Sequence, residues 1–476
     1  LVAPWGNPFG WKTARYRLSG SDKEVEGVTS TLLLLEEISP DIVIISVPET
    51  LLSVMKLEEY GGKVLSGGDE NYKELILKLK SAIEKFFAEK IREVKQLKVV
   101  VAPNIGRYGE VEWILPGRIS PDSAYAAYIL ASIAGLKGNE EITIHLDTTH
   151  GINFMPLAAY RAVLAASRII SVVNDVRVKF KQYNSTPYPG SEEIPRLEVF
   201  CVKEETITPV KAAQRLVYSY LSRENVKPFR YADIPVRELG DIYERVKNLE
   251  ERAKRAHEEA EPVASSVHYS MPLAFLQFSR NTEEEVGSLV MDLESLINDL
   301  IACVEIKREE KRIKVRHLVM PSYEDLKSFL SALSLISYGE KCTNRISGIR
   351  FDNGIVEASI NALCDAIEYI KGPLAEVAGH EISIYKNYLE GKMTEIKNEL
   401  AEKALKRRGD WIPEEGCEDN KRIMIAHAGL ARRAIELKFD DNTWWFRYKK
   451  DCLQMTENIV KKVLADTRRM VKGEEW

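Results

Sequence analysis

The chain has 476 residues, 45% of them hydrophobic and 29% charged, which at roughly 150 residues per domain predicts about three domains with ample core. Its 67 Lys and Arg against 72 Asp and Glu give a net charge of −5, excluding a polybasic nucleic-acid coat, so any contact with nucleic acid must come from a local patch. No run approaches 18 consecutive apolar residues, and the first residues read as a strand rather than a basic and apolar leader, so neither a membrane span nor a signal peptide is expected.

Residues 1–205 alternate short β-branched runs with helical stretches. Strands are predicted at 1–4, 42–47, 97–102, 141–147, 176–182 and 197–202, and helices at about 70–94, 121–136 and 153–170. Apolar runs of five or six residues between helices predict a mostly parallel sheet covered on both faces. This is an α/β Rossmann-like domain, in which ligands bind outside the carboxyl ends of the strands. The alternating segment 108–117 reads as a protruding hairpin, and Pro187 and Pro189 mark a loop near the end of the domain. From 206 to 270 the pattern turns helical and charged, with helices at 210–224 and 243–260: a connector, with a winged-helix-like module as the alternative. From 271 to 476 helical periodicity dominates, at 284–304, 323–338, 384–407, 422–437 and 457–471, predicting an all-α third domain. Residues 305–319 alternate as a short hairpin or arm, and the basic run ending in His317 reads as a solvated arm with RNA contact as its alternative.

Six cysteines (201, 303, 342, 364, 417 and 452) are scattered without zinc-ligand spacing. The expectation is a reduced cytoplasmic protein with no metal site. Its alternative is a disulfide such as Cys342–Cys364, since intracellular disulfides occur in hyperthermophiles. Five glutamines beside abundant Glu and Lys lean toward a thermophile.

No G-x-G-x-x-G follows the first strand and no G-x-x-x-x-G-K-[ST] occurs, which argues against nicotinamide and nucleoside-triphosphate chemistry. Instead the first strand ends in Trp5-Gly6-Asn7-Pro8, with Trp11 beyond. Gly6 permits close approach to the backbone, Asn7 can donate and accept, and Trp11 can stack on a base. The fourth predicted strand runs into Asp147-Thr148-Thr149-His150-Gly151-Ile152-Asn153 before a helix. Hydroxyls, an imidazole and a glycine at a helix N-terminus suit a phosphate, because free N–H groups point outward there. Plain capping would use one such residue.

Among seven histidines, His145 alternates within a strand and reads as packed, His380 sits in a Gly-His-Glu turn, and His257 and His268 have no evident partner. His427 stands five residues after Arg422 in Asn420-Lys421-Arg422-Ile423-Met424-Ile425-Ala426-His427, following the polar loop 414–420. The spacing separates the two by about 140° on an ideal helix, yet the arginine stem can swing to meet the imidazole on one phosphate.

With Gly6-Asn7-Pro8, the Asp147–Asn153 string resembles the CARF sensor domain of type III CRISPR accessory proteins, over about 200 residues. The late R-x4-H resembles the HEPN ribonuclease motif, and the order of the two motifs is that of the Csx/Csm-type CARF–HEPN ribonucleases. One departure is Ile423, where family members usually carry a polar residue after the arginine. The resemblance implies a CARF domain at 1–205, a connector at 206–270 and a HEPN domain at 271–476. It implies Arg422 and His427 as the catalytic pair, and Gly6, Asn7, Trp11, Thr148, Thr149, His150, Gly151 and Asn153 as ligand residues for a cyclic oligoadenylate, with cyclic tetra-adenylate the expected ring. It further implies a metal-independent single-stranded RNA endoribonuclease in antiviral defence, working as a homodimer or higher oligomer. The alternative function is a ligand-sensing DNA-binding transcription regulator that uses 206–270 as its winged helix.

Overall fold

Six β-branched segments form strands where the sequence places them: Val2–Pro4, Val43–Pro48, Leu97–Ala102, Glu141–Asp147, Arg177–Ser185 and Arg196–Ile207. The structure, a computed structural model, describes residues 1–66, 71–117, 119–138, 140–189, 193–233, 239–279, 286–309, 312–392 and 398–473. The chain divides into two compact units. The first comprises Leu1–Thr208, Lys227–Ala253 and Gly287–Lys327, and the second Pro209–Val226, Lys254–Val286 and the residues from Ser328 onward. The stretch 206–270 is therefore shared between them.

In the first unit the six strands join Ala14–Leu18 and Glu24–Gly27 in an eight-stranded sheet, ordered 24–27, 14–18, 196–207, 177–185, 141–147, 2–4, 43–48, 97–102. The last five run parallel to one another. The two added strands form an antiparallel edge hairpin. Their charges pair across it, as in Arg15–Glu26 at 3.2 Å, while Tyr16 and Val25 point inward, so few apolar positions betray them in the sequence. Val43–Pro48 is buried at every position, as a central parallel strand must be. Helices Tyr72–Lys90, Pro121–Ala134 and Met155–Asn174 lie in the same unit, the last two packed on each other. Met155–Asn174 is long and apolar enough to cross a membrane by length and composition, but Ala158, Ala162, Val163, Ile169 and Ile170 are buried within the unit.

Both alternating segments form hairpins, Gly106–Tyr108 with Val111–Ile114 and Val304–Glu309 with Arg312–His317. They unite in one four-stranded sheet because Arg312–His317 pairs in parallel with Val111–Ile114. This corrects the reading of His317 as part of a solvated arm. Ile313, Val315 and His317 face inward, and the basic residues Arg312, Lys314 and Arg316 between them do not. (Lys311 lies outside the described residues.) His317 is fully buried, with its Nε2 2.7 Å from Oε1 of the equally buried Glu49. Glu49 also accepts from the Tyr72 hydroxyl at 2.6 Å and the Asn104 N–H at 3.1 Å. Burial and the Glu49 charge push the Tyr72 phenol well above its ordinary range, so it stays protonated and donates.

In the second unit the expected helices are accompanied by a five-stranded sheet, ordered 349–352, 355–359, 443–448, 435–440, 412–413. The expected helix 422–437 is replaced by the short helix Lys421–Ala426 and the strand Ile435–Asp440. Ala428 and Gly429 take positive φ of 48° and 79°, a left-handed turn that ends a helix. At Gly429 a Cβ would meet Met271 and the Tyr448 hydroxyl at 3.1 Å, so glycine is required there. The expected helix 384–407 consists of Ala375–Leu389 and Glu399–Lys406, with 393–397 outside the described residues. His380 lies inside Ala375–Leu389 rather than in a turn. The expected fully reduced state is corrected: Cys417 and Cys452 are joined by a disulfide across a Cα separation of 5.6 Å, whereas the alternative pairing Cys342–Cys364 does not form.

Two outcomes follow for stability. A buried hydrogen-bonding group left without a partner costs about 1–3 kcal/mol, and Glu49→Ala removes the partner of Tyr72, Asn104 and His317 together, so it should lower the urea midpoint, and an unchanged midpoint would contradict the buried geometry. A disulfide spanning 35 residues removes denatured-state entropy worth roughly 3–4 kcal/mol, so Cys452→Ser should lower the thermal midpoint. Alkylation and mass analysis of the unreduced protein should recover a peptide pair joined through Cys417 and Cys452.

Candidate functional site

The first site forms where strands Val2–Pro4 and Glu141–Asp147 end. The Gly6 N–H donates to the His150 carbonyl at 3.0 Å, so the loops after the two strands make one rim. A Cβ at Gly6 would lie 2.7 Å from Ile152 Cγ2. Glycine at this position thus lets the two loops meet closely. At the base of the rim Asp147 is 2% exposed. It accepts from the hydroxyls of Ser30 at 2.7 Å and Thr31 at 3.0 Å, and from the Thr149 N–H at 3.1 Å. Ser30 and Thr31 open helix Ser30–Ile38; the sequence reading passed over them, although Thr29-Ser30-Thr31 before a leucine run is a capping signal.

His150 is held from three sides. Its Nε2 accepts from the Ser30 N–H at 3.2 Å and faces the Tyr16 hydroxyl at 3.4 Å, and its ring lies 4.4 Å from that of Trp11. Burial lowers its pKa below the ordinary 6.5, against the opposing charge of Asp147, so the imidazole is neutral and an acceptor at Nε2. Thr148 is buried and donates to the Tyr183 carbonyl at 2.7 Å. The Thr149 hydroxyl is buried with no hydrogen-bond partner among the described residues. Asn7 is exposed and accepts from the Phe9 N–H at 3.2 Å. Gly151 packs by Pro156, and Asn153 is exposed at φ 51°. Helix Met155–Asn174 follows with no side chain capping its N-terminus, but the Met155 N–H donates to the Ile152 carbonyl at 3.0 Å, the Ala158 N–H to the Phe154 carbonyl at 2.9 Å, and Pro156 has none, so the first turn offers an anion little more than the Leu157 N–H.

The second site is the short helix Lys421–Ala426 and the loop before it. The Asn420 side chain accepts from the Arg422 N–H at 2.9 Å, and the Asn420 N–H donates to the buried Glu418 at 2.9 Å. Asn420 is thus the helix cap. Lys449 donates to the carbonyls of Glu414 and Gly416, and Cys417 is bonded to Cys452, so the loop is tied at several points. Arg422 and Ile423 are exposed and Met424 is buried. His427 closes the helix, its N–H donating to the Ile423 carbonyl at 3.1 Å. The imidazole is 45% exposed, with Nδ1 3.3 Å from Oε1 of Glu381 on helix Ala375–Leu389. Glu381 was not singled out in the sequence, where nothing marks a carboxylate 46 residues upstream as the histidine's neighbour. Exposed Arg432 and Arg433 follow the helix. Trp444, Trp445 and Phe446 are all core residues, and the Arg350 guanidinium carbon lies 4.0 Å from the Trp445 ring centre.

Two family models match the chain: "CRISPR system endoribonuclease Csx1, CARF domain" over residues 1–187 and "CRISPR system endoribonuclease Csx1, HEPN domain" over residues 357–450. The first spans both loops of the Gly6–His150 rim and the second contains Glu381, Arg422 and His427. A curated relative from Methanocaldococcus jannaschii, "CRISPR system endoribonuclease Csx1", is 25% identical over 451 residues, covering 92% of this chain and 86% of the relative. With a CARF model matching its leading segment and a HEPN model matching the later segment that carries R-x4-H, the chain belongs to the CARF–HEPN family of CRISPR-system endoribonucleases.

Proposed function

We propose that the chain is a cytoplasmic, metal-independent endoribonuclease of type III CRISPR defence that cleaves single-stranded RNA when a cyclic oligoadenylate binds its CARF unit. The observation that carries the reading is the helix end at 421–427. It presents an exposed arginine and a half-exposed imidazole from one short, capped segment. Cleaving RNA through its own 2′-hydroxyl requires a base near that hydroxyl, an acid near the leaving 5′-oxygen and a cation on the phosphate. Histidine can serve either proton role near neutral pH, and arginine can hold the phosphate through two N–H donors. One protomer offers one such pair, so a second copy of the chain completes the acid–base set. The exposed Ile423 beside Arg422 suits cover by that copy.

In the CARF unit the ring would sit on the rim of Asn7, Trp11, Thr149, Gly151 and Asn153. Thr148 and His150 hold the rim from inside. Cyclic tetra-adenylate remains the expected ring, acting by favouring one dimer geometry over another. The competing transcription-regulator reading needs residues 206–270 as a module of their own, whereas they are divided between the two units.

Three measurements test this. Cyclic tetra-adenylate should raise cleavage of single-stranded RNA. Thr149→Val and His150→Ala should remove that rise and weaken ring binding by calorimetry at least about tenfold, the scale of one lost hydrogen bond to a charged group. Undiminished stimulation in both would move the ligand off this rim. Cleavage should persist in EDTA and leave a 2′,3′-cyclic phosphate with a 5′-hydroxyl; loss in EDTA with recovery on added magnesium would indicate metal-assisted hydrolysis. Finally, His427→Ala should lower cleavage at least about a hundredfold while ring binding is retained.

A further inference from the structure

We propose that Glu381 is the positioning residue for His427, fixing the tautomer and direction of the imidazole for proton transfer; the role rests on the reading of His427 as the nuclease's acid–base group. An imidazole bound at Nδ1 by a carboxylate carries its proton there and leaves Nε2 as the nitrogen that exchanges protons with substrate. Oε1 of Glu381 lies 3.3 Å from Nδ1, within ion-pair reach of that nitrogen.

Both partners are set by the fold rather than by their mutual attraction. The His427 backbone is fixed by its bond to Ile423 and by the Leu430 N–H donating to its carbonyl at 2.7 Å. Glu381 lies on a helix whose Ala378, Ile382 and Tyr385 are buried. The Tyr385 ring, one turn beyond Glu381, lies 5.4 Å from Trp444 and 5.0 Å from Phe446, both roughly edge to face. The sheet strand Thr443–Tyr448 thus locates the helix, and the helix locates the carboxylate.

With the imidazole 45% and the carboxylate 22% exposed, the pair contributes little to stability; its consequence is orientation. Arg422 points out from the first turn of the short helix and His427 closes its last, so nothing within that helix determines which imidazole nitrogen faces a bound phosphate. Glu381 supplies that choice from a second helix.

The test uses the whole 476-residue chain in two ways. In ¹⁵N spectra of histidine-labelled protein, with His427 identified by the signal missing from His427→Ala, the neutral ring should carry its proton on Nδ1. In Glu381→Ala the Nε2–H form should take over. An unchanged spectrum overturns the proposal whatever the enzyme's activity. In cleavage assays Glu381→Ala should lower kcat about ten- to hundredfold, the usual scale for losing a group that orients a reacting side chain, with KM for RNA unchanged. Glu381→Gln, which keeps one acceptor oxygen, should recover part of that loss. In the His427→Ala background Glu381→Ala should cost nothing more. Equal losses in both backgrounds, or an effect on KM alone, overturn the positioning role. If His427→Ala cleaves at the wild-type rate, the nuclease reading beneath the proposal fails, while the spectra still report the contact itself.

Discussion

A carboxylate at the end of a buried strand cannot be left without donors, and the sensor loops are arranged around meeting that demand at Asp147. Two donors are the hydroxyls that open helix Ser30–Ile38, and the third is the loop's own Thr149 N–H. Docking that helix brings the Ser30 N–H to His150, which fixes the imidazole as an acceptor and brings its other face to Trp11. Trp11 belongs to the loop after the first strand, where Gly6 accepts Ile152 beside it. Three segments distant in sequence are thereby aligned by satisfying one buried charge. Thr148 and His150, the most polar-looking members of the string, spend their hydrogen bonds inside this network, and the exposed outer positions fall to Asn7 and Asn153.

The second unit works by stopping a helix. Asn420 starts it, Met424 anchors it, and the left-handed pair Ala428 and Gly429 halts it after six residues. The Tyr448 hydroxyl donates to the Gly429 carbonyl at 3.0 Å, tying the turn to the sheet. A longer helix would carry His427 in its interior, where a neighbouring turn shields part of the ring. Ending the helix at that residue sets the imidazole at a corner, open on one side and met by Glu381 on the other.

Much of this was legible in the residues. Buried parallel strands announce themselves as unbroken β-branched runs, and IVIISV and LKVVVA form where they stand. The edge hairpin at 14–27 did not, because its charges pair across strands and hide a thin apolar alternation. His317 misled for a related reason. A strand whose outer face is basic reads as solvated, and its period of two places the histidine on the opposite, buried face. The run 422–437 has helical periodicity in its side chains, but its course is decided by backbone angles at Ala428 and Gly429, and an alanine at positive φ leaves no mark in composition. Both candidate motifs were visible as strings. What each side chain does was not, since Ser30, Tyr16 and Glu381 reach the strings only through tertiary packing.

The parallel pairing of Val111–Ile114 with Arg312–His317 makes the sensor unit discontinuous in the gene. The family match ends at residue 187, yet the unit also takes in Lys227–Ala253 and Gly287–Lys327. A translating ribosome lays down one hairpin about two hundred residues before the strand that completes its sheet, and loop closure over such a span is among the slower events in folding. Until then Trp113 and Glu49 wait without their later partner. Recombination that moved only the leading segment to a different effector would transplant a sheet with a bare edge and a carboxyl missing its imidazole. Exchange of sensors between lineages is therefore physically favoured only when the intervening helices and the second hairpin travel with the first.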